Sequence, residues 1–213
     1  KMKNFLLKLA CITLIFISIR SVAANVSLVV LGDSLSAGYG LSQQQTWVAE
    51  LQRRWQQEYP NIEIINASIS GETTRGGLNR LSGVIERHQP DAIFIELGGN
   101  DGLRGFDLAT VEANLSDMIE QAQAKGINVA LSQVMVPPNY GPRFSKRFQA
   151  VFNRVAEKYE VTLVPFFMTE LVDNPDFVQD DGIHPTAEAQ ASIADFLSPY
   201  LLELAQQAEA SSQ

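Results

Sequence analysis

The 213-residue chain is poor in the side chains that form cross-links and bind metals: it has one cysteine, Cys11, and two histidines, His88 and His184. A single cysteine excludes an internal disulfide, so the fold must be stabilised by its hydrophobic core. Two histidines far apart in the sequence do not form the ligand cluster of a zinc site. Neither a Gly-x-Gly-x-x-Gly motif nor a Walker phosphate loop occurs. We therefore expect neither a metal nor a cofactor.

Basic residues are also scarce, with 16 Lys and Arg against 24 Asp and Glu and a formal net charge of -8. Residues 1–23 contain four of the basic residues and none of the acidic ones. Without them, 12 basic residues face 24 acidic residues, a net charge of -12. An acidic surface repels nucleic acid and anionic head groups at long range. We expect no nucleic-acid partner and a small-molecule substrate.

The chain has no apolar run long enough to span a membrane. The longest, Leu9–Ile19, is shorter than the roughly 20 residues that a spanning helix requires. It follows a basic start and precedes small residues at Ser21 and Ala23, the pattern of a cleavable export signal. We predict a signal over residues 1–23, one domain over 24–205 and a frayed polar tail over 206–213. The protein would then be a periplasmic or secreted monomer without a stable membrane anchor.

Five short apolar runs rich in Val and Ile are typical of strands buried in a parallel sheet. They are Val26–Leu31, Ile62–Ile69, Ala92–Leu97, Val129–Val134 and Val161–Phe167. Amphipathic segments with helical spacing alternate with these runs. The alternation predicts an α/β fold, a single-domain three-layer α/β/α sandwich around a five-stranded, mostly parallel sheet.

A nucleophile and a base can be found among the polar residues that border these elements. Ser34 follows the first strand, although a serine there most often caps a helix, and no Gly-x-Ser-x-Gly elbow surrounds it. His184 comes three residues after Asp181, a spacing that lets the carboxylate reach one ring nitrogen and leaves the other for a serine. Asp180 is the alternative partner. His88, in a polar helix-to-strand connection, is interpreted as a solvated histidine.

Two further residues follow predicted strands and could stabilise an oxyanion. Gly71 offers a backbone N–H that no side chain crowds, and Asn100 offers an amide NH2. Asp33 would shape the turn before the nucleophile by accepting from nearby backbone N–H groups. Pro185 fits the first position of the last helix.

These residues lie in four motifs that resemble the blocks of the SGNH (GDSL) hydrolase family. The motifs are Gly32-Asp33-Ser34-Leu35-Ser36, Gly71, Gly98-Gly99-Asn100-Asp101 and Asp181-Gly182-Ile183-His184-Pro185. Within that family, Gly38-Tyr39-Gly40-Leu41, Gly98–Gly105 and Asn139-Tyr140-Gly141 resemble the secreted bacterial thioesterase, protease and lysophospholipase group and related arylesterases. The resemblance implies a flavodoxin-like fold, Ser34 as nucleophile, His184 as base and Asp181 as its partner. It also implies an oxyanion hole formed by the Ser34 and Gly71 backbone N–H groups and the Asn100 side chain.

The predicted function is hydrolysis of carboxylic esters and thioesters of acyl chains through an acyl-enzyme. We expect the acyl group to lie near Leu35, Leu103, Phe106 and the Val136–Phe144 loop, with Leu103–Phe106 as a flap. Activity should fall as His184 takes up a proton. A carbohydrate O-deacetylase with the same triad, or a non-catalytic acyl- or lipid-binding protein, is the alternative. A flavodoxin-like nucleotide binder is disfavoured because Asp33 would repel a phosphate.

Overall fold

Five parallel strands form the centre of the molecule. A computed structural model describes residues 25–171 and 173–211, so the predicted export signal lies outside the described residues. The strands are β1 Val26–Gly32, β2 Ile62–Asn66, β3 Ala92–Glu96, β4 Asn128–Ser132 and β5 Thr162–Val164. They pair in the order β2-β1-β3-β4-β5, and every neighbouring pair is parallel. The α/β fold and the five-stranded sheet are therefore confirmed.

Seven α-helices connect and flank the strands in the described part of the chain. They are α1 Ser34–Ala37, α2 Trp47–Glu58, α3 Thr74–His88, α4 Gly99–Leu103, α5 Leu108–Gln123, α6 Pro142–Tyr159 and α7 Gln190–Ser211. Buried residues of α2 and α7 pack on one face of the sheet, and those of α3, α5 and α6 pack on the other. Alternate residues of a strand point to opposite faces, so Leu28 and Val30 join the first core and Val29 and Leu31 the second. None of the described helices is long and apolar enough to cross a bilayer.

The two edge strands are shorter than the apolar runs that predicted them. β2 ends at Asn66, not at Ile69, and β5 ends at Val164, not at Phe167. After β2 the backbone turns, because the Asn66 side chain accepts from the Ser68 N–H at 3.1 Å and donates to the Ser36 carbonyl at 2.8 Å. The Ala67 and Ile69 N–H groups still donate to the β1 carbonyls of Val30 and Gly32, at 2.9 and 3.0 Å, so the chain continues alongside the end of β1 after its last paired residue.

The last helix differs from the prediction at both ends. It begins at Gln190, and Pro185 instead forms an isolated antiparallel bridge with Val178. The helix then continues through Ser211, so residues 206–211 are not a frayed tail. Leu201, Leu204, Ala205 and Ala208 are buried at helical spacing, and this stripe extends the packed face of α7 past the point where the sequence becomes polar.

Candidate active site

The carboxyl ends of β1, β2 and β3 bring three predicted site residues to one edge of the sheet, where open α/β sheets bind their ligands. Ser34 follows β1 and is the first residue of α1. Gly71 lies in the connection between β2 and α3, and Asn100 lies in the first turn of α4 after β3. Asp33 caps α1, since its side chain accepts from the Leu35 N–H at 3.0 Å, as predicted.

Ser34, His184 and Asp181 form a continuous hydrogen-bonded chain. The Ser34 Oγ lies 2.8 Å from His184 Nε2, and His184 Nδ1 lies 2.6 Å from Asp181 Oδ2. An ionised carboxylate can only accept, so Nδ1 carries the proton and Nε2 is free to accept from the serine hydroxyl. The imidazole is thereby held in the tautomer that a general base requires.

Asp181, rather than its neighbour Asp180, supplies this carboxylate. Its other oxygen, Oδ1, accepts from the backbone N–H groups of Ile183 and His184 at 2.9 and 3.0 Å. Partial burial raises the pKa of Asp181, but these two N–H groups and the His184 ring outweigh it and lower the pKa to about 2. The carboxylate therefore stays ionised throughout the neutral range.

Two residues, Gln179 and Tyr39, contact the loop that carries His184. The sequence analysis assigned neither of them a role. The Gln179 backbone N–H donates to the His184 carbonyl at 2.8 Å. The Gln179 side-chain amide donates to the carbonyls of Tyr39 and Pro185, both at 2.9 Å. The Tyr39 ring lies beside the imidazole, with centroids 4.4 Å apart. The signal was present only as a tyrosine between two glycines, Gly38 and Gly40, just after the nucleophile.

Gly71 and Asn100 line the same cavity as Ser34. Gly71 has φ +80°, a left-handed conformation that favours glycine. Its carbonyl accepts from Arg104 Nη2 at 3.3 Å. The Asn100 amide donates to Asp33 Oδ2 at 3.2 Å. An amide nitrogen has two N–H groups, so this bond orients the amide and leaves the second N–H for a substrate oxygen.

Two carboxyl groups close to Ser34 in the fold, those of Asp33 and Glu96, are buried. Burial raises the pKa of Asp33 to about 6, although the Leu35 N–H and the Asn100 amide lower it. Glu96 at the end of β3 is completely buried and accepts from Ser36 Oγ at 2.8 Å. Burial, followed by the nearby charge of Asp33, raises the pKa of Glu96 well above its usual range. The sequence analysis assigned Glu96 to a strand and gave it no role at the site.

A cavity of about 720 Å³ extends from Ser34 and His184. Its lining is mainly apolar and includes Leu35 and Leu103, as predicted, together with Val136 and Pro137. Phe106 is not part of the lining, and its side chain is 43% exposed.

The Val136–Phe144 segment contributes only its first residues to this cavity. Tyr140, at the end of a 3-10 turn, and Phe144, in the first turn of α6, line a separate hollow of about 540 Å³. The cavity is also lined by residues that the sequence analysis did not propose: Val134, Met135, Phe166, Met168, Thr169 and Ile183.

No group of three or more His, Cys, Asp or Glu side chains in residues 25–171 and 173–211 could hold a metal ion. His88 is the last residue of α3 and leads into β3, so it lies at the amino-terminal edge of the sheet, away from Ser34. It is half-buried and does not join the site.

Comparison with known proteins places these features in a family context. The sequence model of the GDSL-like Lipase/Acylhydrolase family matches residues 30–191. An arylesterase of Vibrio mimicus is 41% identical over 198 residues, which cover 93% of this chain and 99% of that protein. The thioesterase 1/protease 1/lysophospholipase L1 of Escherichia coli K12 is 42% identical over 191 residues, or 90% of each chain.

Solved structures give the same result for the fold. The psychrotrophic esterase EstA from Pseudoalteromonas sp., crystallised inhibited by monoethylphosphonate, superimposes with a TM-score of 0.81 at 41% identity. The alignment covers 83% of this chain and 97% of that one. AlinE4, an SGNH-hydrolase family esterase, aligns with a TM-score of 0.70 at 36% identity, covering 84% and 96% of the two chains.

Proposed function

Because the chain belongs to the GDSL-like lipase/acylhydrolase family and is an ester-hydrolysing serine hydrolase, we propose that it cleaves acyl esters and thioesters in two steps through an acyl-enzyme on Ser34. The observation that supports this most directly is the chain of contacts from Ser34 Oγ through His184 to Asp181, at 2.8 and 2.6 Å. It joins a hydroxyl, a correctly oriented base and an ionised carboxylate.

In the first step His184 Nε2 accepts the proton of Ser34 as Oγ attacks the substrate carbonyl carbon. The carbonyl oxygen becomes an oxyanion that accepts from the N–H groups of Ser34 and Gly71 and from the Asn100 amide. Protonated His184 then donates to the leaving alcohol or thiol. Asp181 stabilises the imidazolium throughout, since its low pKa keeps it ionised.

In the second step water attacks the acyl-enzyme, and His184 again accepts the proton. The same three donors stabilise the second oxyanion, and the Ser34 hydroxyl is restored when the acid leaves. Protonated His184 returns the proton taken from water to Ser34 Oγ, so His184 is the acid–base group in both steps.

The cavity supports acyl chains as the substrate class. Its apolar lining would bury a hydrocarbon chain with its carbonyl carbon at Ser34. The named activities of the relatives, arylesterase and thioesterase/lysophospholipase, agree with such substrates. Leu103 lines the cavity, and we propose that the Leu103–Phe106 segment that it begins closes over the bound chain as a flap.

The test is hydrolysis of p-nitrophenyl esters from acetate to palmitate by the wild type and Ser34→Ala. We expect the variant to lose at least about 10³-fold in kcat, because the nucleophile is removed. Activity confined to acetate would instead favour an O-deacetylase. Equal rates in both proteins would overturn the assignment of Ser34, and equally inert proteins that bind fatty acid would indicate an acyl carrier.

The N-terminal sequence pattern supports a proposal about where the protein is located. We also propose that residues 1–23 are removed on export and that the remaining chain acts as a periplasmic or secreted monomer. Mass spectrometry of the protein from the periplasmic fraction measures the cleavage site, and light scattering measures the molar mass. An uncleaved chain in the cytoplasm would contradict this proposal.

A further inference from the structure

A buried polar bridge joins the two loops that carry Gly71 and Asn100. Asp101, the residue after Asn100, points both carboxylate oxygens at Thr74, the first residue of α3. Oδ2 accepts from the Thr74 backbone N–H at 2.9 Å, and Oδ1 accepts from the Thr74 hydroxyl at 2.7 Å. The same hydroxyl accepts from the Asn114 amide of α5 at 3.0 Å. We refer to these contacts as the Thr74–Asp101 bridge.

The bridge is shielded from water. Thr74 is 0% exposed, Asp101 2% and Asn114 4%. A buried carboxylate must be hydrogen-bonded, and charge-assisted bonds are stronger and shorter than those between neutral groups. The bridge therefore holds the start of α3 and the first turn of α4 at a fixed separation.

That separation matters because each end of the bridge lies close to an oxyanion donor. Thr74 is three residues after Gly71, and Asp101 is bonded directly to Asn100. Gly71 and Asn100 come from different strand-to-helix connections, so nothing in the local chain fixes the distance between them. Oxyanion donors are effective only when they converge on one point, at about 2.7–3.1 Å from the developing charge.

We propose that Thr74 and Asp101 are positioning residues that set the spacing between the Gly71 and Asn100 oxyanion donors. Neither Thr74 nor Asp101 is among the residues that line the cavity, so neither is placed to contact a substrate there. The inference rests on the proposed function, because it assumes that Gly71 and Asn100 stabilise an oxyanion. In this proposal Asn100 contacts the oxyanion, and Asp101 holds Asn100 in position.

The test is Thr74→Val, which keeps the shape of the side chain and the backbone N–H but removes the hydroxyl. We expect kcat to fall by about tenfold or more with KM changed little, because the donors misalign mainly in the transition state. Thr74→Ser retains the hydroxyl and should restore kcat. All rates are normalised by active-site titration with a fluorophosphonate, so that unfolded protein does not count as a catalytic defect.

Thr73→Val is the matched control. Thr73 caps the same helix through the Gly76 N–H at 3.1 Å but has no contact with Asp101 among the described hydrogen bonds. It should lower stability and leave the titrated kcat unchanged. If Thr74→Val does not fold, Asp101→Asn replaces one acceptor by a donor and should lower kcat in the same way.

A second measurement reports on the oxyanion site alone. An alkyl boronic acid adds to a serine hydroxyl as a tetrahedral anion that resembles the reaction intermediate. Its Ki should rise in Thr74→Val by the factor by which kcat/KM falls. A Thr74→Val enzyme with the kcat and boronate affinity of Thr73→Val would overturn the inference, while wild-type activity and its loss in Ser34→Ala would still support the proposed function.

Discussion

The His184 ring contacts Ser34, which begins α1 near the start of the domain, and Asp181, which lies in the same loop as His184. The contact to Asp181 fixes the tautomer, and the contact to Ser34 defines the proton that is transferred. At the scale of single residues, the site therefore depends on which carboxylate holds the ring and on its charge.

Asp181→Asn should lower kcat by about 10³–10⁴-fold, because an amide favours the tautomer that turns a proton towards Ser34. Asp180→Asn changes the charge by the same amount at the adjacent, exposed position and should leave kcat unchanged. Steady-state kinetics on one p-nitrophenyl ester measures both. Equal losses in the two variants would mean that local charge matters and the specific contact to Nδ1 does not.

Glu96→Gln should make stability less sensitive to pH. In the folded protein burial raises the pKa values of Asp33 and Glu96, so the folded state binds protons that the unfolded chain has already released. This contribution to stability is complete at acid pH and is lost as the pH rises through the folded-state pKa values. Glu96→Gln removes one ionisable group and keeps an acceptor for Ser36.

We therefore expect the variant to melt at higher temperature than the wild type at pH 8, with a smaller difference between pH 5 and pH 8. About 1 kcal/mol corresponds to about 2–4 °C in a protein of this size. Glu63→Gln, at an exposed position of β2, is the control and should melt with the pH dependence of the wild type. A lower Tm for Glu96→Gln at every pH would show that the charged form is the stable one.

At the scale of elements, the start of α4 illustrates how closely the site is packed. Gly98 has φ +119°, and a Cβ atom there would lie 2.8 Å from Cζ of the buried Phe152 ring. Asn100 is two residues further on. The backbone can therefore bring the amide to Ser34 only because residue 98 has no side chain.

Gly98→Ala should destabilise the protein by about 2–5 kcal/mol, from the left-handed backbone and the contact with the ring together. Gly83→Ala in α3 is the opposite case, since a Cβ there meets nothing within 4 Å. It should stabilise the protein by about 0.5–1 kcal/mol through helix propensity. Urea denaturation measures both, and a Gly98→Ala midpoint equal to that of the wild type would refute the packing argument.

The sequence predicted elements well where hydrophobic pattern alone decides them, and less well where distant contacts do. All five strands were identified, but β2 and β5 were drawn too long because apolar residues continue after the last paired residue. The end of α7 was missed because alanines such as Ala208 are buried without a long apolar run. Pro185 was assigned to a helix start, whereas its pairing with Val178 depends on tertiary structure.

At the site, too, local sequence patterns were predictive and contacts between distant segments were not. Ser34, Gly71 and Asn100 could be chosen because each follows an apolar run, and Asp181 and His184 because of their spacing of three residues. Gln179, Tyr39 and Glu96 could not, since their contacts join segments that are distant in the sequence. The lining residues Val134, Met135, Phe166, Met168, Thr169 and Ile183 were missed for the same reason.

At the scale of the whole molecule, the chain holds its fold without cross-links in the described residues and without a cluster of metal-binding side chains there. We therefore expect EDTA and dithiothreitol to leave both the Tm and the ester hydrolysis rate unchanged. Thermal melting and p-nitrophenyl butyrate hydrolysis with and without each reagent measure this. A loss on EDTA treatment that one divalent cation reverses would contradict it.

Ser34 and His184 are 150 positions apart in the chain, at the two ends of the domain. During synthesis Ser34 emerges from the ribosome long before His184. A chain that crosses a membrane N-terminus first emerges in the same order. A partly made or prematurely terminated polypeptide thus contains a nucleophile without a base. On the proposed mechanism, ester hydrolysis therefore requires the final segment of the domain to be translated.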